Sequence, residues 1–157
     1  MNDLMASEFE AFLAGHKPAL LCHCDEDREF LQKLTESRFP KVQIRGDLTL
    51  FFQNEMLKDQ FLTQSKGLEP GTPEHHRLLG ITLGYPPIAA DYFARSWTDR
   101  RLWDESVTFD YCGLYFAGHI DDVIPIAEWL WSNVPIPPSE VKIITLTGKE
   151  YRLSPDL

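Results

Sequence analysis

Residues 41–53 alternate polar and apolar side chains, break for two residues at Gly46-Asp47, and then alternate again. Period-two patterning on both sides of a two-residue break predicts a β-hairpin, here with a turn of the glycine-first kind, and it groups Arg45 with the polar Lys41 and Gln43. A second hairpin is predicted at the end of the chain, from residues 141–146, a turn at Thr147-Gly148 and residues 149–153. Two hairpins require antiparallel pairing. That excludes a doubly wound nucleotide-binding fold and predicts an α+β domain, its sheet mixed or antiparallel, packed by about five helices. At 157 residues without a linker, repeat or low-complexity tract, residues 1–157 read as one domain.

The helices announce themselves by their ends. Thr72 followed by Pro73 reads as an N-cap with proline in the first turn, and Gly84 followed by Pro86 as the stop. Pro87 opens the next helix, with Ala89, Ala90, Phe93 and Trp97 on one face. Asn54 caps a helix carrying Phe61, Asp25 one carrying Phe30, Leu31 and Leu34, and Asp122 one that places Pro125 at the third helical position. Residues 3–14 form an amphipathic helix stopped by Gly15, and residues 18–23 a buried strand. Strand alternation over residues 107–116 puts Val107, Phe109, Tyr111 and Tyr115 on one side, with Gly113 as a bulge.

Against 15 Lys plus Arg stand 24 Asp plus Glu, a formal charge of -9, and such a field repels nucleic-acid phosphates. The amino terminus carries neither the basic nor the apolar region of a signal peptide, and no uncharged apolar run is long enough to span a membrane. With three cysteines, an odd number, the expectation is a cytoplasmic protein with reduced thiols, no membrane partner and no nucleic-acid partner.

Residues 13–21 (LAGHKPALL) and 74–86 (EHHRLLGITLGYP) carry a resemblance. They are similar to a family of small bacterial proteins of unknown function that has an AGxKPAxL start and a HExGxFLGYP centre. This chain departs from it at the centre, where the family's His-Glu order becomes Glu74-His75-His76. The resemblance implies a shared fold and supplies no catalytic residue.

Several constellations carry chemistry in principle. Cys22-His23-Cys24 resembles metal-ligand spacing, but on a strand only the two thiols share a face, so no metal site or cofactor is expected. Cys112 and His119 are separated by roughly 20 Å at strand rise and form no nucleophile–base pair. The sequence contains no nucleophile elbow, phosphate loop or zinc helix, and no catalytic residue is assigned. His75 and His76 fall in the first turn of a helix, where the dipole favours neutral imidazole. The Gly84-Tyr85 corner follows, with backbone N–H groups near Ile88 and Ala89 as a possible anion seat.

Two readings result. The first is a non-catalytic binding or regulatory domain acting through a protein or small-ligand contact, with His75, His76, Gly84 and Tyr85 as ligand-binding candidates. The second is a small enzyme that uses either histidine beside the Gly84-Tyr85 corner. What separates them is whether the imidazoles face a pocket with a carboxylate partner. A helical wheel also sets Trp129 with Pro125 and Ile126 away from the main apolar stripe, which suggests a homo-oligomer or partner interface.

Overall fold

The computed structural model describes residues 3–23 and 25–155, with side chains from Ala6 onward; Cys24 lies outside the described residues. It is an α+β fold in which the strands form two antiparallel sheets rather than one. The first half runs α1 (Asp3–Leu13), β1 (Ala19–His23), α2 (Arg28–Glu36), β2 (Lys41–Arg45), β3 (Leu48–Phe52) and α3 (Glu55–Gln64). Its three strands pair in the order β1-β3-β2. Then come α4 (Pro73–Thr82), α5 (Pro87–Ser96), a 3-10 turn over Arg100–Glu105, β4 (Ser106–Tyr111), β5 (Leu114–His119), a short 3-10 turn, α6 (Val123–Asn133), β6 (Val141–Thr145) and β7 (Glu150–Leu153). These four strands are ordered β5-β4-β6-β7.

Side-chain caps fix the starts of α3 and α4. Asn54 accepts a hydrogen bond from the Leu57 N–H at 3.0 Å, and Thr72 accepts one from the His75 N–H. Asp25 does not cap α2. The N-cap is Asp27, whose carboxylate turns back to accept from the His23 N–H at 2.8 Å, fastening β1 to the helix start. Asp122 is the N-cap of α6, as its spacing predicts, but makes no side-chain cap bond.

Each sheet is buried by alternate residues. One face of the first sheet places Leu20, Cys22 and Phe51 against Phe9 and Phe12 of α1 and Phe30 and Leu34 of α2. The opposite face places Ala19, Leu50 and Phe52 under Phe61 and Leu83. In the second sheet Val107, Phe109 and Tyr111 pair across with Gly118, Phe116 and Leu114 under Ile126, Ala127 and Leu130 of α6.

The β4–β5 connection corrects the sequence reading. Cys112 and Gly113 have φ of 51° and 93°, the two left-handed residues of a tight hairpin turn, so Gly113 is no bulge. The turn restarts the alternation. Tyr115 consequently faces away from Val107, Phe109 and Tyr111, beside Ala117 on the side where α5 packs. The Gly46-Asp47 connection also differs, since Gly46 is not left-handed and the irregularity lies within β2.

Candidate functional site

Between the two sheets, roofed by α4 and α5, lies a cavity of about 360 Å³. The first sheet contributes Leu21, Ile44, Arg45 and Leu48; the helices contribute His75, His76, Leu79 and Phe93; β5 contributes Tyr115 and Ala117. The volume falls within the range of about 300–1,000 Å³ usual for small-molecule sites, and the walls are predominantly apolar with a few polar groups, as such sites require.

Of the residues expected at a site, His75, His76 and Tyr85 line this cavity and Gly84 does not. Although the two imidazoles diverge around the helix, both reach the cavity. His75 is buried with its ring edge-on to Phe61 at 6.3 Å. His76 is half-buried, stacked on the Trp97 indole at 4.2 Å with the planes within 9° and edge-on to Phe93 at 6.0 Å. Its Nε2 is buried and has no hydrogen-bond partner among the described residues. Burial is the main cause that holds both imidazoles below their ordinary pKa; His75 adds to the effect on His76, and Arg45 adds to it on both. The neutral state predicted from the helix dipole is thus favoured for a different reason. Among the described residues neither ring has a carboxylate partner.

Gly84 has a structural role. Its φ of 95° turns the chain after α4, and a Cβ there would lie 2.6 Å from Pro18 Cδ. The turn delivers Tyr85, whose ring stacks on Phe116 at 5.1 Å while its hydroxyl donates to Glu8 Oε1 at 2.9 Å. The same oxygen lies 3.4 Å from the ammonium of the fully buried Lys17, which sits 5.3 Å above the Tyr85 ring. That pair is ionic in distance but misaligned for a hydrogen bond. Burial pushes Lys17 below its ordinary pKa against the pull of Glu8, and pushes the Tyr85 phenol well above its own. The two short fragments that suggested a family therefore meet in space, Lys17-Pro18 against Gly84-Tyr85.

Of the anion seat expected beyond Pro86, the Ala89 N–H is already engaged, since it and the Ala90 N–H both donate to the Pro86 carbonyl at 3.0 Å. The outward patch on α6 also changes. Ile126 is fully buried, because Gly118 lacks the Cβ that would collide with its Cδ1 at 2.8 Å and so admits it to the core. Pro125 is exposed, and Trp129 is half-buried against the core of the second sheet. Cys22 is buried in β1 and Cys112 is exposed at a hairpin tip. His119 pairs with Glu105 and accepts from the Asp121 N–H, well away from either thiol along the chain. Among the described residues no three His, Cys, Asp or Glu side chains are placed to hold a metal ion, and no helix is long and apolar enough to cross a membrane.

Sequence reasoning missed Arg45, Glu8 and Lys17. Arg45 was hidden because its place in the alternation assigned it to the polar side, while Glu8 and Lys17 meet Tyr85 only through tertiary packing. No family model, curated protein or solved structure matches this chain.

Proposed function

We propose that this protein is a non-catalytic binding domain that holds a small, largely apolar ligand between its two sheets. The observation that carries the reading is the cavity of about 360 Å³ walled by Leu21, Leu48, Leu79, Phe93 and the Tyr85 ring. The enzymatic alternative needs a group to orient the His75 or His76 imidazole as a base, and among the described residues neither has a carboxylate partner for that task. The exposed Cys112 thiol supports placement in the reducing cytoplasm.

The test is binding of N-phenyl-naphthylamine, an uncharged dye whose emission rises in apolar surroundings. Wild type should bind it saturably. Ala117→Phe, which adds a ring at the half-buried β5 wall of the cavity, should lose that binding with an unchanged far-ultraviolet spectrum. No saturable binding by wild type, or equal binding by the variant, would overturn the reading.

A further inference from the structure

The lining of the cavity includes one permanent cation, the solvent-exposed Arg45, and an irregularity in the sheet puts it there. Along β2 the register with β3 runs regularly through Gln43 opposite Thr49, then shifts, so that Arg45 instead of Ile44 stands opposite Leu48. Unbroken alternation would turn Arg45 outward with Lys41 and Gln43. The extra residue re-aims it, and Ile44 and Arg45 both line the cavity.

The guanidinium is also uncompensated. Arg77, Arg95, Arg101 and Arg152 each pair with a carboxylate, and of the arginines that do not, Arg28, Arg38, Arg45 and Arg100, only Arg45 lines the cavity. Arg45 has no such partner among the described residues, in a chain where acids outnumber bases 24 to 15. The nearby acid of the hairpin turn, Asp47, instead lies 4.0 Å from His23 Nδ1.

We infer that the ligand is an apolar monocarboxylate, its carboxylate paired with Arg45 and its hydrocarbon body filling the cavity. This rests on the cavity being a ligand site, as proposed above, and adds the chemistry of the ligand's head. A planar guanidinium matches a carboxylate through two parallel N–H donors. One positive charge balances one negative charge, and a phosphate dianion would leave charge uncompensated against walls of leucine and phenylalanine. His75 and His76 can donate a hydrogen bond to the head without adding charge.

Titration calorimetry with octanoate, octanol and octylamine separates this inference from the reading beneath it. Wild type should bind octanol, and should bind octanoate at least about threefold more tightly, as expected for an ion pair to a solvent-exposed guanidinium. Arg45→Gln should abolish that difference while leaving octanol affinity unchanged. Arg45→Glu should reverse it, so that octylamine becomes the preferred probe. Arg45 is exposed on an edge strand, and the thermal midpoint of each unliganded variant checks that the fold is intact. If octanol and octanoate bind wild type equally, or Arg45→Gln leaves their ratio unchanged, the carboxylate assignment fails and the cavity reading stands. If no probe binds wild type, both fail.

Discussion

The two faces of the first sheet are built from alternate residues of the same three strands, yet one is solid and the other is hollow at one end. On the solid face Phe9 meets Phe30 at 4.5 Å and Phe12 meets Phe39 at 4.9 Å, over Leu20, Cys22 and Phe51. On the other face Phe61 and Leu83 cover Leu50 and Phe52, but beyond them Leu21 and Leu48 look into the cavity. The difference lies in the covering helices. Where α1 and α2 send down rings, α4 and α5 meet at Gly80 and Ala90, where a Cβ on the glycine would lie 3.1 Å from the alanine's. Small residues let two helices pair closely and give little volume to the space below them. A sheet face therefore becomes a binding site when the residues above it are too small to fill it.

The largest effect expected from this contrast is on the solid face. Phe51→Ala should lower unfolding free energy by about 3–5 kcal/mol, whereas Leu79→Ala, at a wall that already borders empty space, should cost less than about 2 kcal/mol. Urea denaturation measures both, and equal losses would erase the distinction. Next in size is Gly84→Val, at the turn that carries the chain from α4 to the cavity wall. A β-branched residue there meets both a left-handed backbone and the Pro18 ring, and should cost about 1–3 kcal/mol. An unchanged denaturation midpoint would mean that residue 84 is not left-handed.

The smallest effect is on pH dependence and belongs to the hollow face. Both imidazoles are held below 6.5 in the folded protein, so below that pH the unfolded chain binds more protons. Their contribution to stability is complete above 6.5 and is lost as pH falls through the folded values. The thermal midpoint of wild type should thus drop more steeply from neutral to mildly acidic pH than that of a His75→Gln, His76→Gln double variant. Parallel profiles would show that the imidazoles are not held neutral by the fold.

What the sequence made legible follows from how local each signal was. Thr72-Pro73 and Gly84 through Pro87 set α4 and α5 at their observed ends because capping, left-handed glycine and proline's missing N–H act within a few residues. Both predicted hairpins form. The same signals placed His75, His76 and Tyr85 near one another without showing what they would surround. The division into two sheets was hidden, since strand order is set by contacts remote in sequence. Tyr115 was assigned to the wrong side because a tight turn at Cys112-Gly113 and a continuous strand read alike in a short apolar run. Arg45 was lost to a single inserted residue, and one residue of slip inverts every side chain that follows.

Glu8 and Lys17 near the start of the chain and Tyr85, remote from both in sequence, share one carboxylate oxygen inside the protein. Remove Glu8 and a buried ammonium and a buried phenol lose their common partner; remove Lys17 and a carboxylate is left with the phenol alone. No member can drift singly at small penalty, whereas an exchange of the ion pair for two apolar residues can be close to neutral. Substitution at these positions is therefore concerted in descendants of this chain, and Glu8 and Lys17 should be found together or replaced together.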